Sequence, residues 1–292
     1  MDQVKRGASP VFFARHLHNK HYGFSRMISR LLSALPLLAG IFITPVAAAQ
    51  ESLADWSNEF FRDGQTIVTA PLHWQEPQWQ KAAGLAAITA ALMATTDQNV
   101  ADYYDRHRHQ AMSDVMQGVG DILSPLALAG YSAVVWGAGQ LVPNDTLSRT
   151  GFKMGEAVVY SSLIAGGIKV IVGRPRPFTG ADANDYSGWS WQDKHQSFPS
   201  AHATAAFAAA RVLSPQLTPL QRLGAYGAAS LVAYSRVYES QHWLSDVVFG
   251  AGLGYSVGSV LADDASPDHR QQAGWWLIPS DSGMTLTWLQ TW

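Results

Sequence analysis

The sequence predicts an all-α bundle of about six helices rich in small residues, followed by a short C-terminal β-hairpin. Three observations carry that expectation. From about residue 81 onward, apolar stretches of helical length alternate with polar joints. Strand signals stay weak until residue 275. The 292 residues are 47% hydrophobic and only 14% charged, against roughly 25% charged in an average protein. That composition excludes a disordered or fibrous chain, and the lack of a basic stripe argues against a nucleic-acid binder. Cysteine is absent, which excludes disulfide scaffolds, thiol catalysis and cysteine-held metals. Eleven Trp and ten Tyr are many for this length, and such rings favour boundaries between apolar and wet surroundings.

The first element is a targeting segment. The overall net charge of −2 hides six basic residues and one acid within residues 1–49, which leaves 14 basic and 21 acidic residues beyond. Residues 31–46 are uncharged, basic residues precede them, and Ala47-Ala48-Ala49 follows. This is the order of a secretory signal, with cleavage expected after Ala49. Translation from Met27 would give a signal of ordinary length; an uncleaved anchor is the alternative. Export without cysteine suits a bacterial periplasm.

Residues 50–80 read as an irregular or partly helical lead-in. The main domain spans 81–264. Helices are expected at 82–95, at 101–120 (carrying Arg106, His107, Arg108 and His109 on a solvated face), at 122–142 and at 152–172. Gly173, Pro175 and Pro177 end the last of these. Residues 178–198 are loop-like by their Gly, Asp, Asn and Ser content. Helices then follow at about 200–213, 219–237 and 243–262. A C-terminal aromatic tail, 265–292, holds the candidate hairpin, with its turn at Ser280–Gly283. Only 122–142 is long and clean enough to read as a membrane span, because other helices are shorter or carry Glu156, Lys169, Arg211 or Arg222. A soluble bundle is therefore expected, with a polytopic membrane protein as the alternative.

Three clusters carry chemistry. In Lys169-Val-Ile-Val-Gly-Arg-Pro-Arg176-Pro177, a lysine near a helix end and an arginine past a Pro-broken turn suit a phosphate, as point charge and bidentate fork. The plainer reading is a pair of cations stabilising a helix C-terminus. In Pro199-Ser200-Ala201-His202, Ser200 is placed as an N-cap. The free N–H groups from Ala201 onward make an anion site, and His202 stands in the first turn; a plain capped helix is the alternative. In Ser235-Arg236-(VYESQ)-His242-(WLS)-Asp246, the last two are four apart and share a helix face. A carboxylate there can orient an imidazole, and a histidine so held can be a nucleophile. A surface ion pair is the plainer reading, and a third zinc ligand is not evident.

Taken together, KVIVGRPRP, PSAH and SRVYESQHWLSD resemble the type 2 phosphatidic acid phosphatase superfamily, shared with bacterial acid phosphatases and vanadium haloperoxidases. Its pattern is K-x6-R-P, P-S-G-H and S-R-x5-H-x3-D. Every spacing matches across about residues 80–262, and Ala201 stands where the family usually has Gly. The resemblance implies a metal-independent phosphatase with no cofactor. His242 would be the nucleophile, Asp246 its orienting partner and His202 the general acid. Lys169, Arg176, Ser200, Ala201 and Arg236 would bind phosphate. The expected substrates are lipid phosphates, with a membrane surface as partner. Alternatives are a soluble acid phosphatase acting on small esters, a vanadium haloperoxidase and a catalytically silent envelope-binding module. In the loop before the second motif, His195, Trp189 and Trp191 are candidates for a pocket rim or for plain packing.

Overall fold

The computed structural model describes residues 52–142, 144–262, 274–280 and 283–289. The leader expected at 1–49 and the Met27 start lie outside the described residues. The lead-in is largely one helix, α1 (Leu53–Thr69). Ser52 Oγ accepts the Asp55 N–H at 3.2 Å and Asp55 Oδ2 accepts the Ser52 N–H at 3.0 Å, a reciprocal cap that starts it. Its buried stripe is Trp56, Glu59, Asp63 and Ile67.

Next come α2 (Glu76–Thr95), α3 (Asp97–His107) and α4 (Gln110–Ile122). The single helix expected over 101–120 is thus two. The chain leaves helical geometry at Arg108 and His109. There the Arg108 guanidinium donates to the Tyr238 carbonyl at 3.0 Å and to Ser240 Oγ, and the His109 N–H donates to Tyr238 Oη at 3.0 Å. These long-range bonds take Arg108 off the solvated face that the sequence suggested.

The uncharged run 122–142 is not a continuous helix either. Ser124 Oγ accepts the Ala127 N–H, Pro125 takes the first helical position, and α5 (Pro125–Leu141) starts afresh at 45° to α4. Two other segments are long and apolar enough to cross a membrane. One is Asp145–Thr179, which contains α6 (Asp145–Val172); the other is α9 (Leu244–Ala262). Helices α4 and α5 meet the same test only as a bent pair. The two charges that counted against α6, Glu156 and Lys169, are 2% and 8% exposed. Lys153 is fully buried and ion-paired to Glu59 at 2.6 Å, to Glu156 at 3.2 Å and to Asp63. The argument for a soluble bundle from charged helices therefore fails for α6.

Helices α7 (Ala201–Leu213) and α8 (Pro219–Tyr238) complete the bundle. Helix α7 is central and packs on α5, α6, α8 and α9. Six of its alanines, from Ala203 to Ala210, are buried, so neighbouring backbones approach closely. The tightest approach is to α9. A Cβ added at Gly250, Gly254 or Gly258 would lie 2.7, 2.0 and 2.6 Å from the carbonyl oxygens of Ser200, Thr204 and Ala208. After the bundle, β1 (Gly274–Ser280) pairs antiparallel with β2 (Gly283–Leu289), from Gly274 opposite Leu289 to Ser280 opposite Gly283.

Candidate active site

The C-terminal end of α6, the starts of α7 and α9 and the end of α8 meet at one place. Gly173 ends α6 with φ of +60°, in the left-handed region that suits glycine, and turns the chain into Arg174-Pro-Arg176. Lys169, in the last turn, donates to the carbonyls of Gln196 and Ser197, the latter at 3.2 Å. Arg176 donates from Nη2 to Asp193 Oδ1 at 2.7 Å and from Nη1 to Gln241 Oε1 at 3.1 Å. The loop between the first two motifs is thereby pinned to both cations.

Ser200 caps α7 as expected, its Oγ accepting the Ala203 N–H at 3.4 Å, while its own N–H donates to the Asp246 carbonyl at 3.0 Å. The Thr204 N–H is taken by the Ser200 carbonyl, so the outward N–H groups at this helix start are those of Ala201 and His202. Arg236 ends α8, buried, with its guanidinium against Gly120 of α4 and its Nε without a hydrogen-bond partner among the described residues.

His242 is 3% exposed. Burial and then the charges of Lys169, Arg176, His202 and Arg236 hold its pKa well below the ordinary value. The same agents, burial first and then Arg236, Lys169 and Arg176, lower His202 to about 3. Burial, more than the other charges around it, also lowers Arg236. Each histidine thus feels all three cations. Both rings are neutral at neutral pH in the free site.

The His242–Asp246 pair departs from the simple expectation. His242 Nδ1 lies 3.6 Å from Asp246 Oδ2, within ion-pair range but too far for a hydrogen bond, and Nδ1 has no hydrogen-bond partner among the described residues. The carboxylate is instead fully engaged elsewhere. Its Oδ2 accepts from Ser197 Oγ at 2.5 Å and from the Trp243 N–H at 2.9 Å, while Oδ1 accepts from Arg174 Nη1 at 2.6 Å. Sequence reasoning missed Arg174 and the Asp97 carboxylate beyond it, which Arg174 Nη2 reaches at 2.7 Å. The doubled Arg-Pro pair was the one signal that pointed to Arg174; Asp97 lies in no motif.

Trp189 and Trp191 are 69% and 74% exposed and stack edge-on at 6.0 Å, so core packing does not account for them. Their loop is fixed beside the end of α6 by the Ser190 N–H bonded to the Val170 carbonyl. His195 Nδ1 is buried without a hydrogen-bond partner among the described residues. Among the described residues, no three His, Asp or Glu side chains are placed to hold a metal ion.

Residues 150–266 match the family model described as the PAP2 superfamily. The lipid A 1-phosphatase of Porphyromonas gingivalis is 29% identical over 159 residues, which cover 52% of this chain and 30% of that protein. The chain thus matches under a third of that relative's length. The crystal structure of Aquifex aeolicus LpxE superposes with a TM-score of 0.45 at 19% identity, over 57% of this chain and 94% of that one. The transmembrane PAP2-type phosphatidylglycerolphosphate phosphatase of Bacillus subtilis gives 0.43 at 18% identity, over 64% and 92%.

Proposed function

We propose, from the match of residues 150–266 to the PAP2 superfamily model, that the chain is a phosphatase for lipid phosphate monoesters or pyrophosphates. The supporting observation is a buried site crowded with cations in which Arg236 Nε lacks a hydrogen-bond partner among the described residues. Such a site favours an anion with several acceptor oxygens. Phosphate oxygens sit among Lys169, Arg176, Arg236, Ser200 and the N–H groups of Ala201 and His202.

His242 attacks phosphorus in line with a ring-nitrogen lone pair, forming a phosphohistidine. The bound phosphate dianion opposes the three cations and raises the His202 pKa, so that His202 takes up a proton as substrate binds; the bond to the leaving oxygen then breaks, and that oxygen keeps the electron pair and takes the proton of His202. Water then gives a proton to His202, and its oxygen displaces the imidazole and frees phosphate. Proton transfer of this kind is worth roughly 10²–10⁴ in rate. The side-chain cations supply the neutralisation that phosphoryl transfer requires, and no cofactor is assigned.

A lipid substrate is supported by α6 and α9, which are long and apolar enough to cross a membrane. Leu163 and Ile171 of α6 remain 66% and 62% exposed. The leader read from the sequence supports a site on the periplasmic side, and the relative from P. gingivalis is itself named for a lipid substrate.

The test is phosphate release from an aryl phosphate, phosphatidate and an isoprenyl pyrophosphate, with EDTA present. Release from the lipids that is lost in His242→Ala is expected. A silent wild type, or an active His242→Ala, overturns the assignment. Protein that is soluble without detergent and prefers the aryl phosphate replaces the lipid reading with a small-ester acid phosphatase.

A further inference from the structure

We propose that Asp97 and Arg174 are positioning residues that hold the Asp246 carboxylate so that Oδ2 faces His242 Nδ1. This rests on the reading of His242 as nucleophile. All three groups, Asp97, Arg174 and Asp246, have zero exposure. Burying an arginine between two carboxylates costs desolvation energy, and apolar clusters of the same volume often replace such groups without loss of stability. The geometry of this cluster explains what it does.

A carboxylate is symmetric about its Cβ–Cγ bond. At Asp246 the symmetry is broken, because Oδ1 is held by Arg174 Nη1 at 2.6 Å, while Oδ2, which accepts from Ser197 Oγ and the Trp243 N–H, lies on the His242 side at 3.6 Å. Arg174 is fixed in turn. Its Nε and Nη2 donate to the Ala183 carbonyl at 3.2 and 2.7 Å, its Nη2 donates to Asp97 Oδ2 at 2.7 Å, and the Trp243 ring lies 5.2 Å from Cζ. Asp97 is held by the first turn of α9, where Oδ1 accepts the Ser245 N–H at 2.9 Å. Ser245 Oγ closes the ring by accepting from Arg174 Nη1 at 2.8 Å and donating to Asp97 Oδ2. The planar fork of an arginine is the one side chain that bridges two carboxylates in this way. Asp97 is the first residue of α3, so this chain of contacts ties the orientation of the nucleophile to a helix that carries none of the three motifs.

The test combines turnover with a measurement that needs none. In Asp97→Asn, kcat falls on the order of 10-fold or more, the usual cost of losing an outer orienting partner, while KM is unchanged because no phosphate contact is touched. Asp97→Glu recovers part of the loss. Nitrogen NMR of histidine-labelled protein, with His242→Gln to assign the signal, shows one His242 tautomer (Nδ1–H) in the wild type and a mixture in Asp97→Asn. If Asp97→Asn does not fold, Arg174→Lys keeps the charge but cannot bridge, and the same two readings apply. Wild-type kcat with a single tautomer in the folded variant overturns the proposal. A wild type that releases no phosphate, yet whose tautomer is lost in the variant, sinks the phosphatase reading and leaves the positioning role standing.

Discussion

Replacing Gly120 with alanine puts a methyl group where the Arg236 guanidinium lies. The added Cβ would be 2.4 Å from Nη2 and 2.6 Å from Cζ, whereas ordinary contact begins at 3.4 Å. The guanidinium therefore has to withdraw by about 1 Å. It is the far end of a flexible side chain, so the fold accommodates the change while the site does not. Alanine also gains about 0.8–1.0 kcal/mol over glycine in a helix interior, which keeps the melting temperature at or above that of the wild type. On the proposed role of Arg236 in holding a phosphoryl oxygen, a misplacement of about 1 Å costs on the order of 100-fold. The assay is kcat/KM for the best substrate, with vanadate inhibition alongside. Both are expected to weaken together, since vanadate takes the same oxygen positions. A folded Gly120→Ala protein with wild-type kcat/KM and vanadate affinity removes Arg236 from the phosphate cradle.

Two further outcomes follow from burial. His202 and His242 are buried neutral, with folded pKa values below the unfolded value of about 6.5. The unfolded chain then takes up protons first as pH falls. Stability is complete above about pH 6.5 and declines below it, by at most about 1.4 kcal/mol per pH unit for each histidine. Thermal unfolding in detergent between pH 7.5 and 5 measures this, and a slope unchanged by His202→Asn contradicts it. Far from the site, Lys153→Met leaves the Glu59, Asp63 and Glu156 carboxylates without their shared cation. About 3–5 kcal/mol of stability should be lost. Lys153 is about 24 Å along α6 from Lys169, so kcat of the folded fraction stays at the wild-type level; a drop in kcat without a drop in melting temperature contradicts the separation.

What the sequence made legible was local. Ser200 as cap, Gly173 as helix end and Pro219 as helix start are decided within a few residues, and the structure has each where the sequence places it. The convergence of Lys169, Arg176, Arg236 and both histidines was legible only through the joint spacing of three motifs. What escaped depends on partners distant in the chain. The break at Arg108 is made by Tyr238 and Ser240. The inward turn of the α6 charges depends on α1. Asp97 looks like an ordinary acidic residue at a helix start until Arg174 and Ser245 are seen around it. The 3.6 Å gap at His242 was equally invisible, because four-residue spacing sets which face two side chains share and not how far apart their tips lie.

The glycine seam between α7 and α9 gives the reaction centre its rigidity. Ser200 and His202 ride on one side of it, and Asp246, with His242 just before it, on the other. Where backbone rests on backbone there are no rotamers to slip and no side chain to trim, so the two histidines keep a common frame as the molecule breathes. Trp189 and Trp191 lie off this seam on an exposed part of the 178–198 loop, so they can change without disturbing the distance between the two histidines.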